Sequence, residues 1–265
     1  MQWSYFDSFN YNTKRLGSSR FSKWVLEDNW FYFLSHYIMI VLRTRREAIN
    51  NVYGKKEWAD SSLEVLRLIE KIGGEFHISG MENIAKSSEP VVFISNHIST
   101  LETMVFPALI APLRDVTFVV KDSLAKHPLF GPVMRSREPV IVGRTDPRKD
   151  FEIVMTQGME LLSRGISIVV FPQSSRTDVF RPSDFNSIGI KLARKAGVNV
   201  VPVAIKTDFW GNGKIIKEIG PLNHLKPIMI KFGESFPVSG TGKEENQKII
   251  NFIIENLKVW NGLVS

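Results

Sequence analysis

Val91-Val92-Phe93-Ile94-Ser95-Asn96-His97-Ile98-Ser99-Thr100-Leu101-Glu102 passes from an unbroken apolar run, through a polar turn, into the start of a helical pattern. Consecutive apolar residues leave no polar face, so Val91 to Ser95 fits a strand covered on both sides. Such strands belong to parallel sheets flanked by helices, where ligands gather outside the carboxyl ends of the strands. His97 stands at such an end, and Glu102 follows five residues later. An imidazole with a carboxylate one helical turn beyond it makes a base and its orienter, a pairing that removes a proton from a hydroxyl without metal or cofactor. A second reading fits the same residues. Ser99-x-x-Glu102 matches a capping box, in which Ser99 caps a helix and Glu102 reaches back to its amide.

Working outward, the alternation of strand and helix continues. Val116 to Val120 reads as a strand ending at Lys121, and Pro139 to Gly143 as a strand closed by Arg144. Asp146-Pro147 reads as N-cap and first helical position, opening a helix to about Arg164. Ile166 to Phe171 is the next strand, and a helix from Asp184 to Ala196 stops at Gly197. Asn199 to Lys206 and Ile228 to Phe232 read as strands, and Lys243 to Trp260 as a last amphipathic helix. The expected fold is α/β, with a largely parallel central sheet flanked by helices. His97, Lys121, Arg144 and Arg176 each follow the apolar end of an expected strand. Around Arg176 runs Phe171-Pro172-Gln173-Ser174-Ser175-Arg176-Thr177, whose amides, hydroxyls and guanidinium suit an anion. An ordinary polar turn with a solvated arginine has the same composition.

The first 28 residues read as irregular and aromatic, followed by helices at about 29–45 and 47–72 that end at Gly73-Gly74. Residues 1–74 are therefore expected as an aromatic segment with a two-helix membrane-associating module, and 75–265 as the α/β domain. Trp30 to Leu42 spans roughly 20 Å as a helix, short of the about 30 Å hydrocarbon core. Trp24, Trp30, Phe31, Tyr32, Phe33 and Tyr37, with Arg43, Arg45 and Arg46 behind them, suit a helix lying at the headgroup boundary. A helix packed on the protein's own core is the competing reading. Met1 to Ser8 lacks the pattern of a secretory signal.

The net charge of +7 favours an anionic partner. No zinc spacing or aromatic-studded nucleic-acid motif stands out, so a membrane surface is expected and nucleic acid is not. The absence of cysteine excludes disulfides, thiolate metal sites and a cysteine acyl-enzyme, and fits a reducing compartment. Ser239-Gly240-Thr241-Gly242-Lys243 fails the phosphate-loop spacing, and Gly211-Asn212-Gly213 lacks a third glycine. No G-x-S-x-G elbow exists, which argues against a serine acyl-enzyme. His36, His77, His127 and His224 lack a comparable strand-exit setting and read as structural or surface residues.

Four blocks in order resemble the glycerolipid acyltransferase family, the 1-acyl-glycerol-3-phosphate acyltransferases and their relatives. That family carries N-H-x-x-x-x-D, an arginine closing an apolar strand, F-P-E-G-T-R-S and a V-P-V strand. Here the blocks are Asn96 to Glu102, Val140 to Arg144, Phe171 to Thr177 and Val201-Pro202-Val203, within roughly residues 75 to 235. Glu102 stands for the family's aspartate, Gln173 for its glutamate, Ser174 for its glycine and Ser175 for its threonine.

The resemblance implies acyl transfer from a thioester, on acyl-CoA or acyl carrier protein, to the hydroxyl of a lysophospholipid. The acceptor implied is 1-acyl-glycerol-3-phosphate. His97 and Glu102 would then be catalytic, with Asn96, Lys121, Arg144, Gln173, Ser174, Ser175 and Arg176 on the substrate side and no metal or cofactor. The enzyme would sit peripherally on the cytoplasmic face of a membrane. The altered third block leaves open another lysolipid, an aminolipid or a glycolipid as acceptor, and an inactive lipid-binding protein of the same fold is the alternative of another class.

Overall fold

The structure, a computed structural model, describes residues 5–14, 30–86, 88–173, 175–213 and 218–265. A two-residue strand β1 (Tyr11–Asn12) precedes helices α1 (Trp30–Ile49) and α2 (Lys55–Lys71) and strand β2 (Phe76–Ser79). One helical turn, α3 (Glu82–Ala85), leads to β3 (Val91–Ser95), α4 (Leu101–Ile110) and β4 (Val116–Lys121). Short helices α5 (Asp122–Ala125) and α6 (Gly131–Arg135) lead to β5 (Val140–Val142), α7 (Pro147–Ser163) and β6 (Ser167–Val170). Then come β7 (Val179–Phe180), a 3-10 turn at Pro182–Asp184, α8 (Ile188–Ala196) and β8 (Asn199–Lys206). The order closes with β9 (Ile228–Phe232), α9 (Lys243–Val259) and β10 (Leu263–Val264).

Eight strands form one sheet in the order β1-β2-β9-β8-β3-β6-β4-β5. Its pairs are parallel except β1–β2 and β8–β9. The carboxyl ends of β3, β4, β5, β6 and β8 therefore share one edge, where the candidate residues lie. Alternation along β3 explains the layers: Val91 and Phe93 face one core, while Val92 and Ile94 face the other. The first core is filled from α2 and α4 by residues such as Leu66, Ile69, Leu101 and Phe106. The second is filled from α7, α8 and α9 by Val154, Leu161, Leu192, Ile249 and Ile253.

Local signals explain the boundaries. The Asp146 carboxylate accepts hydrogen bonds from the Arg148 and Lys149 amides, with Pro147 opening α7. Gly197 ends α8 in the left-handed region at φ +69°. One expectation changes. Tyr11–Asn12, read as irregular, extends the sheet edge by pairing with His77 and Ile78. The N-terminal helices have no core of their own, since Phe33, Tyr37, Leu66 and Ile69 belong to the cluster that covers the sheet. Trp24 lies outside the described residues.

One device holds α4, the helix that carries Glu102. Pro107 lies inside it, where the missing amide and the ring disturb the helical ladder. The Ala108 amide donates 2.9 Å to Ser62 Oγ, and Ser62 Oγ donates 2.5 Å to the Met104 carbonyl. The hydroxyl thus stands in the place of the direct bond between residues 104 and 108, and it comes from α2. Each buried polar group left without a partner costs about 1–3 kcal/mol. Ser62→Ala should destabilise the protein by about 2–4 kcal/mol, seen as a lower denaturant midpoint with an unchanged slope.

Candidate active site

The exit of β3 is pinned before it turns. Asn96 is fully buried, and its amide group makes two bonds to the backbone of Ile205 in β8, donating at 2.9 Å and accepting at 3.0 Å. A carboxamide presents the donor and acceptor of a peptide group, so Asn96 continues the ladder sideways for one residue. Its expected place on the substrate is corrected accordingly: both polar atoms are committed to Ile205.

His97 follows, with a small part of its side chain still reaching solvent. Its Nδ1 lies 2.8 Å from Glu102 Oε1. An ionised carboxylate only accepts, so Nδ1 carries the proton and Nε2 is the atom free to take one. The imidazole stacks on Phe171, with ring centroids 4.3 Å apart and planes 20° apart. Phe106 and Phe118 lie behind Phe171, completing an apolar wall. The ring is therefore fixed at its edge by Glu102 and on one face by Phe171.

Glu102 is 0% exposed and its two oxygens are crowded with donors. Besides His97, Oε1 accepts from the amides of Ile98 at 2.8 Å and Ser99 at 2.9 Å. Oε2 accepts from the Ser99 hydroxyl at 3.0 Å and from Thr207 Oγ1 at 2.6 Å. Burial by itself would raise this carboxyl's pKa. The hydrogen bond and charge of His97, the Thr207 hydroxyl and backbone donors outweigh burial and hold it below its ordinary value. The Leu101 amide in turn donates to Ser99 Oγ at 3.1 Å. The base–orienter pair and the capping contacts thus coexist, and one carboxylate serves both. Thr207, one residue past β8, is the member of this cluster that the sequence did not single out; its position directly after the strand holding Val201-Pro202-Val203 was the available signal.

The loop after β6 locks onto the same turn. Thr177 donates its amide to the His97 carbonyl at 3.1 Å. Gln173 is 3% exposed, and its Oε1 accepts the His97 amide at 2.8 Å. This oxygen supports the catalytic main chain. Ser174 lies outside the described residues, and Ser175 is exposed beside it. Arg176 donates to Thr100 Oγ1, at the start of α4, and to Glu218 Oε1 at 2.7 Å.

Arg144 closes β5 at φ +58°, an uncommon conformation for a side chain with a Cβ. Asp150 in the first turn of α7 holds it there, accepting the Gly143 amide at 2.9 Å and the Arg144 amide at 2.8 Å. Burial of its head lowers the pKa of Arg144; Asp150 opposes this, and the nearby Arg176 cation adds to it. Lys121, at the end of β4, is exposed on the same edge.

A family model described as acyltransferase matches residues 75–206, about half of the chain and the part that holds every residue described above except Glu218 and Thr207. This chain belongs to the acyltransferase family. Among curated relatives, the 1-acyl-sn-glycerol-3-phosphate acyltransferase of Pseudomonas aeruginosa is 29% identical over 179 residues, covering 64% of this chain and 67% of that one. The chloroplastic enzyme of the same name from Arabidopsis thaliana is 32% identical over 152 residues, covering 57% of this chain and 40% of that one. This acyltransferase therefore spans about two thirds of the bacterial relative and under half of the plant one. The crystal structure of the 1-acyl-sn-glycerophosphate acyltransferase from Thermotoga maritima shares its fold, with a TM-score of 0.62 and 19% identity over 90% of this chain and 96% of that one.

Replacing the Glu102 charge separates its roles by magnitude. In Glu102→Gln one oxygen becomes an amide donor facing other donors, so the acyltransferase should lose about 10³–10⁴-fold in kcat and also melt earlier. Glu102→Asp, which keeps the charge on a shorter stem, should recover part of the turnover in the same assay. The sign in acid is fixed as well. Stability contributed by Glu102 is complete above its ordinary value of 4.5 and is lost as pH falls through the lower folded value. A neutral residue at position 102 should flatten that acid limb of the unfolding curve.

Proposed function

We propose that this acyltransferase moves a fatty acyl group from a thioester to the free hydroxyl of 1-acyl-glycerol-3-phosphate, giving phosphatidic acid. The observation that carries the reading is the His97–Glu102 pair at 2.8 Å on the same sheet edge as Arg144 and Arg176. The acceptor hydroxyl gives its proton to His97 Nε2 as its oxygen bonds to the thioester carbonyl carbon. The tetrahedral intermediate collapses, the carbon–sulfur bond breaks, and the leaving thiolate takes the proton from the imidazolium. Glu102 favours the transient imidazolium and keeps Nε2 aimed. No acyl-enzyme intervenes. Arg144 and Arg176 hold the acceptor phosphate, whose charge is opposite to theirs. Acyl-CoA or acyl carrier protein supplies the thioester, and no metal or further cofactor enters the scheme. The relatives' names support the acceptor, as they describe those proteins as acting on 1-acyl-glycerol-3-phosphate.

A lipid substrate places the enzyme on a membrane, and α1 has the surface for it. Its inner face buries Phe33 and Tyr37, and the Tyr37 hydroxyl points to Met104 Sδ in the catalytic helix, 3.7 Å away. Its outer face exposes Phe31, Ile38, Met39 and Leu42, and Arg46 follows on the same side. No helix among the described residues is long and apolar enough to cross a bilayer. We place this face in the headgroup region of an anionic leaflet, on the cytoplasmic side, as a peripheral attachment.

Thiol release from acyl-CoA with a panel of lysolipids tests the chemistry. Wild-type protein should turn over lysophosphatidate, and His97→Ala should bring release to background without unfolding the protein. Arg176→Ala should raise KM for lysophosphatidate about 10- to 100-fold. Preference for an aminolipid or glycolipid would reject the acceptor, and silence with every lysolipid would leave a lipid-binding protein. For the membrane, Phe31→Glu with Met39→Glu should release the protein from anionic vesicles in a flotation assay, while turnover of short-chain soluble substrates persists.

A further inference from the structure

The Arg176 guanidinium is not shared with solvent alone. Glu218, 42 residues later in the connection between β8 and β9, meets it at 2.7 Å, with side chains only 17% and 23% exposed. That is drier than a surface ion pair, so the attraction is screened less. Both ends are held. Arg176 is also bonded to Thr100, two residues before Glu102. The chain just after Glu218 is tied by Gly220, whose carbonyl accepts the Trp30 indole N–H at 3.2 Å, and by Pro221, whose carbonyl accepts the Gly211 amide at 2.9 Å. Burial would raise the Glu218 pKa, but Arg176, a backbone donor and the nearby His127 together lower it, so the carboxylate is ionised at neutral pH. A negative charge therefore stands on the cation that the proposed function assigns to phosphate.

We infer that Glu218 is a specificity-determining residue: its carboxylate competes with the acceptor phosphate for Arg176, so that a phosphomonoester gains the site and a phosphodiester does not. The inference rests on the reading of Arg176 as a phosphate ligand. A phosphomonoester carries nearly two charges at neutral pH and three terminal oxygens, enough to engage Arg176 and Arg144 together. A phosphodiester carries one charge and two free oxygens. Against the carboxylate it has less to offer. A purely structural role does not need an anion here. A neutral acceptor would hold Arg176 without repelling the substrate, whereas a carboxylate beside a phosphate weakens its binding.

The test uses the full chain with Glu218→Gln and Glu218→Ala, each alone and combined with Arg176→Ala. Binding of sn-glycerol 3-phosphate by NMR titration should tighten about tenfold in both single variants, and the gain should vanish when Arg176 is removed. With lysophosphatidate the change should fall on KM rather than kcat, and lysophosphatidylglycerol should become a better acceptor relative to wild type. Unchanged or weaker binding of sn-glycerol 3-phosphate in the two single variants overturns the inference. So does a selective loss of lysophosphatidylethanolamine turnover, which would make Glu218 a receptor for the ammonium group. Failure of the proposed function reads differently, as wild-type protein that never acylates lysophosphatidate, and the binding titration judges Glu218 in that case too.

Discussion

A full negative charge at Glu102, with no exposure to solvent, is the constraint around which this molecule is organised. Such a charge persists in a protein interior only if donors replace the water it has lost. Those donors come from two places: the turn between β3 and α4, and the residue just past the end of β8. They converge only if the strands are in register, which the β3–β8 ladder from Val91 to Ser95 provides and the Asn96–Ile205 bonds extend. The geometry of the base is therefore a by-product of satisfying the acid. His97 is one more donor to a carboxylate that the fold must neutralise, and the same bond fixes which nitrogen can act.

The anion side of the site is built on the opposite principle. The catalytic pair is dry and held by many short bonds, which suits a group whose work is done by pre-organisation. Lys121 at the end of β4, and Arg144 and Arg176 on the loops after β5 and β6, stand nearer the rim, with carboxylates of Asp150 and Glu218 among them. Asp150 grips the Arg144 main chain; Glu218 grips the Arg176 head itself. Chemistry common to the family and recognition particular to one headgroup can thus vary independently, because they rest on different layers of the same edge.

The parts of this fold that were legible in the sequence are those with a strong local signal. The β3, β8 and β9 strands show as unbroken or alternating apolar runs, and Asp146-Pro147 and Gly197 mark helix ends by their own chemistry. His97, Glu102 and Arg176 were visible because each follows such a strand. Tyr11–Asn12 was not, since a two-residue strand has no periodicity and exists only through its partner in β2. Glu218 gave no sign, because nothing local ties it to an arginine 42 positions away. The amides of Asn96 and Gln173 were visible as residues but not in their roles. A polar side chain at a strand exit reads the same whether it faces a ligand or turns inward to its own backbone.

Gln173 shows why a departure from the family pattern is compatible with an intact centre. Its neighbour in space is the His97 main chain, and its buried Oε1 accepts that amide. A glutamate there would also accept it, but would set a second carboxylate into the same dry region as Glu102. A second buried carboxylate must take up a proton or find a cation. The amide performs the positioning without the charge. The charge of Arg176 is balanced from elsewhere, and Glu218 is the acid that does so. Seen this way, a negative charge missing from the loop after β6 reappears on the connection after β8, outside the catalytic pocket, where it acts on headgroup binding rather than on the base.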